Sequence, residues 1–116
     1  LKNIEWISQL RRGIMEFCIL ILISKKPTYG YELVLNLSKW DSLAITEGTL
    51  YPLLRRLQKE QHIESYWQES ESGPPRKYYK ITDSGKELLD SMSVTWGNFN
   101  NSIDELLNLK EVDLIG

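Results

Sequence analysis

The chain has 116 residues, of which 41% are hydrophobic and 26% charged, with a net charge of −2. That length fits one domain with a modest core and a helical extension, and the composition argues against disorder. A single cysteine, Cys18, and a single histidine, His62, exclude a disulfide and a zinc site of ordinary ligand spacing, which suits a reducing cytoplasm.

The acidity is unevenly spread. Beyond residue 80 the chain carries seven carboxylates against two lysines, which leaves the preceding body mildly basic. An acidic total argues against a nucleic-acid binder, but the distribution of charge does not.

Residues 14–23 form an apolar run interrupted by Glu16, about half the length needed to span a bilayer, so a buried helix is expected and no membrane association. This first helix covers residues 11–24, with Cys18 as a small core residue and Lys25, Lys26 and Pro27 marking its end. No secretory leader is visible from Leu1, and a cytoplasmic protein is expected. Thr28 is placed to cap a second helix over residues 29–39, where Tyr31, Val34, Leu35 and Ser38 share one face.

After a short connection, residues 41–45, comes TEGTLYPLLRRLQKE. Leu50, Leu53, Leu54 and Leu57 recur at i, i+3, i+4 and i+7 and define a core face. The opposite face gathers Gly48, Thr49, Pro52, Arg55 and Arg56, with Tyr51 on its flank, a set of hydroxyls, an aromatic tip and cations suited to phosphates and base edges. Pro52 removes a backbone donor and crowds the Gly48 carbonyl, so the helix starts either near Thr49 or near Thr46 with a local irregularity.

Next, IESYWQESESGPPRKYYKIT reads as two strands, residues 63–68 and 77–82, around a tip ending in Gly73, Pro74 and Pro75. Arg76, Lys77 and Lys80 are expected beside that tip, where a projecting hairpin meets the sugar-phosphate backbone. Helix, helix, turn, helix, ribbon is the order of a winged helix-turn-helix.

Thr82, Asp83 and Ser84 supply capping chemistry for a last helix running to about residue 110. Its apolar positions, Leu89, Met92, Trp96, Phe99, Ile103 and Leu106, follow a heptad seam. Two readings of that seam stand: a homodimer interface, with Ile4, Trp6 and Ile7 packing alongside, or a helix folded back on its own domain. The expected fold is thus mainly α with a small β-wing, a winged helix-turn-helix over residues 1–82 and a long dimerisation helix and tail over 83–116.

Three segments carry a resemblance: TYGYEL at 28–33, EGTLYPLLRRLQKEQHIES at 47–65 and GPPRKYYKITDSGKELL at 73–89. Through them the chain resembles the PadR family of transcriptional regulators, over about residues 10–109, and its single terminal helix is similar to that of the short subfamily. The resemblance implies a homodimeric repressor that binds an inverted repeat in double-stranded promoter DNA and is released by a small aromatic effector. It maps the DNA-facing motif onto Thr49, Leu50, Tyr51 and Pro52 and the wing motif onto Arg76, Lys77 and Tyr78. The family usually has glycine at the helix-to-wing junction, where this chain has His62. Some relatives place a tryptophan near the dimer axis, which makes Trp96, Phe99 and Trp6 the candidate effector-binding residues; the alternative is that Trp96 and Phe99 only fill the interface.

No phosphate loop, nucleophile–base pair or metal cluster is recognisable, so neither an enzyme nor a cofactor is expected. The alternative function is a winged-helix protein-interaction module without a DNA target.

Overall fold

The computed structural model describes residues 3–116; of the N-terminal segment, Leu1 and Lys2 lie outside it. The chain folds as α1 (Ile4–Lys25), β1 (Thr28–Tyr29), α2 (Gly30–Leu37), α3 (Glu47–Lys59), β2 (Ile63–Ser70), β3 (Gly73–Ile81) and α4 (Asp83–Leu107), with short 3-10 turns at Asp41–Leu43 and Glu111–Asp113. It is elongated, 64 × 35 × 20 Å. The architecture is mainly helical with one small antiparallel sheet, as the sequence pattern predicts.

Helix α1 begins at Ile4, seven residues before the expected start, and buries Met15, Ile19, Leu20 and Ile23 against the core. It ends because Pro27 disfavours helical backbone at Lys26, which is extended (φ −168°, ψ 158°). Cys18 is half-buried and packs against the core from its edge.

Helix α2 does not bury the face that Tyr31, Val34, Leu35 and Ser38 share. Gly30, Leu33 and Leu37 are buried and Val34 is half-buried, while Tyr31 and Leu35 are half exposed. Two turns of helix offer two apolar stripes, and the packing against α3 selects the one with the small residue. Thr28 is likewise not a helix cap: it lies buried in β1 and its hydroxyl donates to the Glu32 carboxylate at 2.5 Å.

Helix α3 starts at Glu47, and the N-cap is Thr46, whose side chain accepts the Thr49 N–H at 3.3 Å. Pro52 therefore stands inside the helix rather than in its first turn. Leu50, Leu54 and Leu57 are fully buried and Leu53 partly so. The helix closes with a Schellman motif: Gln61 N–H donates to the Gln58 carbonyl and His62 N–H to the Leu57 carbonyl. The left-handed residue this motif requires is Gln61 (φ 65°), so the position that favours glycine is Gln61 and not His62.

The sheet has the order β1-β3-β2. Ile63 pairs with Ile81 and Trp67 with Lys77, and the register slips between Gln68 and Ser70. The strands run further than expected: β3 begins at Gly73, so Pro74 and Pro75 lie within it and the turn falls at residues 71–72. Proline is tolerated there because β1 reaches only Tyr78 and Tyr79, leaving the opposite edge of β3 open beside the irregularity.

Thr82 caps α4 by accepting the Gly85 N–H at 3.0 Å, and its hydroxyl also donates to the Gln61 carbonyl at 2.6 Å. Ser84 donates to the same carbonyl at 3.0 Å, so the start of α4 is stapled to the α3–β2 turn. Helix α4 ends at Leu107, short of residue 110. At 1.5 Å per residue its 25 residues extend about 37 Å. Leu88, Leu89 and Met92 pack back on the core, whereas Trp96, Phe99, Ile103 and Leu106 are exposed. The first turns of α4 therefore fold back on their own domain, while the rest of the seam projects uncovered.

Candidate nucleic-acid interface

The buried leucine stripe of α3 fixes what its opposite side presents. At 100° per residue, Gly48, Pro52, Arg55 and Lys59 form an exposed ridge, with Thr49 and Tyr51 on its two flanks. Lys59 extends the Arg55 ridge by one turn; its i+4 spacing from Arg55 was the signal available for it in the sequence.

The two flanks have different neighbours. Thr49 is exposed beside Arg11 and Ile45, and Thr46 Oγ1 lies 3.3 Å from its hydroxyl. Tyr51 is half-buried between α2 and the wing, with its phenol against Gly30. Burial, and secondarily the Glu47 carboxylate, push its pKa above the ordinary phenol value. Tyr51 therefore stays a neutral hydroxyl, able both to donate and to accept a hydrogen bond at physiological pH.

The two arginines also differ. Arg55 is exposed and close enough to Tyr79 to favour its ionised form, although burial still raises the Tyr79 pKa overall. Arg56 is directed back to α1 and along α3: its Nε lies 3.4 Å from Glu16 Oε1 and 3.5 Å from Glu60 Oε1. That Glu16 oxygen is buried and makes no hydrogen bond to any described residue, so its attraction to Arg56 is ionic. A sequence pattern cannot reveal this, because Glu16 is brought to Arg56 only by packing of α1 on α3.

Pleating separates the wing residues onto two faces. Lys77 shares the α3-facing side with Trp67 and Tyr79, whereas Arg76 and Tyr78 share the outer side with Tyr66. Tyr78 stacks on Tyr66 at 5.8 Å and meets Tyr29 edge-on at 5.4 Å, and the Arg76 guanidinium lies 4.5 Å above the Tyr29 ring. These contacts stiffen the hairpin base and hold Arg76 in place. Lys80 lies at the base rather than beside the tip, ion-paired to Glu64 at 3.2 Å. The turn carries Glu71, with Glu69 next to it, so cations occupy the flank of the wing and carboxylates its tip. Between wing and helices lies a cleft of about 530 Å³ lined by Tyr31, Tyr51, Trp67, Arg76, Lys77 and Tyr79.

Arg11 is a residue whose role the sequence did not suggest. Its guanidinium donates to the Ser42 carbonyl at 3.0 Å and to the Ala44 carbonyl, tying α1 to the segment that leads into α3.

A second cleft, of about 440 Å³, opens between α1 and α4, lined among others by Leu10, Phe17, Met92, Trp96, Phe99 and Ile103. The Phe17 and Trp96 rings lie 6.5 Å apart. Within one chain Trp6 does not line this cleft; it is exposed on the first turn of α1, and Leu10 and Phe17 take the place expected of it. No helix among the described residues is long and apolar enough to cross a membrane, and no cluster of three or more metal-ligating side chains occurs among them.

Comparison with known proteins agrees with this geometry. The sequence profile of the transcriptional regulator PadR-like family matches residues 19–91. The chain is 38% identical over 99 residues to an uncharacterised protein of Lysinibacillus sphaericus, covering 84% of this chain and 91% of that one. Among solved structures it is similar to a PadR-like transcriptional regulator from Bacillus cereus, with a TM-score of 0.80, 43% identity and coverage of 88% and 99% of the two chains. A PadR family transcriptional regulator from Eggerthella lenta gives a TM-score of 0.80 at 34% identity, covering 91% and 92%. The chain therefore belongs to the PadR-like family and is a winged-helix, DNA-binding transcriptional regulator, not an enzyme.

Proposed function

We propose that this regulator is a repressor that acts in the cytoplasm as a two-fold homodimer, each copy placing its α3 and wing on one half of an inverted repeat in double-stranded promoter DNA. The observation that carries this reading is that one chain presents an exposed hydroxyl- and cation-bearing ridge on α3 and, on α4, an uncovered apolar seam. Phe99 and Leu106 are 62% and 65% exposed there, more apolar surface than a lone helix keeps in water without a partner. A second copy of α4 is the simplest cover, and two-fold symmetry then makes the DNA site an inverted repeat.

In this reading residues 1–82 form the DNA-binding unit and 83–116 the dimerisation helix and tail. Thr49, Tyr51, Pro52 and Arg55 face the groove, with Arg56 at its margin, while Arg76, Lys77 and Tyr78 support the backbone contact. Trp96, Phe99, Ile103 and Leu106 form the exposed seam, which Leu89 and Met92 continue from the side where they also pack on their own core. Bound dimers repress by occluding the promoter. A flat aromatic compound suits the α1–α4 cleft, where Trp96 and Phe99 offer stacking surfaces, with Trp6 nearby on the other copy. Such an effector releases DNA only by binding better to a dimer arrangement whose half-sites no longer match the repeat.

The test is selection of bound fragments from a genomic pool, followed by a screen for compounds that quench Trp96 and release the recovered DNA. Enrichment of an inverted repeat, bound with steep salt dependence, is expected. An intact dimer that enriches no repeat would instead favour the protein-interaction module, the reading to which the Glu69 and Glu71 carboxylates at the wing tip lend weight.

A further inference from the structure

Gly30 opens α2 at a backbone conformation that any residue can adopt, since the structure contains no glycine with positive φ. Helix propensity would favour alanine at this position. What excludes a side chain is space: a Cβ built on Gly30 would meet the Tyr51 hydroxyl and lie 2.8 Å from its Cζ and 2.9 Å from its Cε1. All three atoms belong to the outer end of one side chain. The backbone of α3 is not among these nearest atoms, so movement of the Tyr51 phenol relieves the tightest contacts of a methyl group at residue 30.

We infer that Gly30 is a positioning residue for DNA reading: its missing side chain sets where the Tyr51 phenol rests, and hence which atoms of the half-site its hydroxyl can reach. This rests on the proposed contact of Tyr51 with DNA. Helix α2 and strand β3 converge on the phenol. Gly30 of α2 lies against it, Tyr79 of β3 is near enough to sense its charge, and Lys77 of the wing lines the same cleft. A methyl group at residue 30 closes the α2 side of this seat and drives the ring outward, towards the space left for the duplex. Hydrogen bonds tolerate little displacement of this kind, because they weaken steeply once distance and angle leave their narrow range.

The experiment is a double-mutant cycle with Gly30→Ala and Tyr51→Ala, read on the fragment recovered by genomic selection and on versions of it substituted one base pair at a time. Circular dichroism and sedimentation of each variant run in parallel. Gly30→Ala is expected to keep the native spectrum and oligomeric state and to lose about tenfold in affinity. That loss falls at the same base pairs whose discrimination Tyr51→Ala abolishes, and it vanishes when Gly30→Ala is added to Tyr51→Ala. A defect of folding alone would weaken every DNA site by one common factor. An equal Gly30→Ala loss in both backgrounds, or unfolding of Gly30→Ala, overturns the inference, since the methyl group would then act on the fold. If Tyr51→Ala itself changes neither affinity nor base preference, the contact of Tyr51 with DNA fails first, and the role of Gly30 fails with it.

Discussion

The backbone carbonyl of His62 occupies the space that a Cβ on Gly85 would need, with Ile81 Cγ1 only 2.7 Å from the same point. The first turn of α4 thus lies directly against the α3–β2 turn, with Gly85 buried between them. Unlike a side-chain end, a carbonyl fixed by its hydrogen bond from the Thr82 N–H cannot swing aside. Gly85→Ala is expected to destabilise the fold by about 3 kcal/mol, the upper range for overpacking a tight site, measured by urea denaturation. A loss below about 1 kcal/mol would mean that the helix can slide off the turn.

Gln61 occupies the left-handed position of the Schellman motif at φ 65°. Relief of its Cβ strain by glycine outweighs the added unfolded-state freedom, so Gln61→Gly is expected to stabilise the protein by about 0.5–1 kcal/mol. Thermal unfolding checks the sign. DNA affinity should stay unchanged, because the substitution keeps the backbone path that sets the wing.

Arg55 and Arg56 are adjacent in sequence and unequal in surroundings, which predicts unequal effects. Arg55→Ala should weaken DNA binding and lower the slope of log affinity against log salt by about 1, the signature of one lost phosphate contact. Arg56→Ala should change that slope less, and instead cost about 1 kcal/mol of stability as Glu16 and Glu60 lose their partner. Titrations at several salt concentrations, with denaturation alongside, separate the two. Equal slopes would show that Arg56 leaves Glu16 to meet DNA.

The leucine stripe of α3 is legible from four residues because thirteen residues of helix give three turns in which only one face is apolar. Helix α2 is too short for that logic: Tyr31 and Leu35 imitate a core face, and only the room that Gly30 leaves for Tyr51 shows which way it turns. Pro74 and Pro75 read as a turn because proline usually ends strands; the exception depends on where β1 stops, a non-local fact. At the candidate site, the residue types of Thr49, Tyr51, Arg55 and Lys77 were visible in the sequence. The diversion of Arg56 to Glu16, the stacking of Tyr78 between Tyr66 and Tyr29 and the anchoring role of Arg11 were not, since each requires a partner at least a dozen residues away.

Burial raises the pKa of both Tyr51 and Tyr79 in the folded chain. A phenol with a raised folded pKa binds more protons folded than unfolded between the two values, so its stabilising effect is complete below the unfolded pKa and is lost as pH rises through the folded one. Stability should be insensitive to these groups at neutral pH and fall from about pH 10 upward. Tyr51→Phe should reduce the steepness of that fall in denaturation curves taken at pH 9, 10 and 11. An unchanged profile would assign the alkaline loss to other groups.

Phe99→Asp adds a charge to the middle of the exposed α4 seam, far from α3 and the wing. Sedimentation is expected to show a monomer at micromolar concentration with the native spectrum retained, and binding to the selected repeat should fall by on the order of a hundredfold or more as simultaneous engagement of two half-sites is lost. A dimer that persists would place the interface elsewhere on the chain.

Helix α1 holds both the approach to α3 and the side of α4 with neighbouring turns. Arg11 holds the carbonyls of Ser42 and Ala44 just ahead of the α3 cap, and Glu16 faces Arg56, while Phe17 lies beside Trp96 on α4. A rod clasped on both sides cannot roll about its own axis without disturbing both grips. The same helix thus carries contacts to the apolar seam and to the loop in front of α3, so a substitution that unseats Phe17 from Trp96 is expected to reach both.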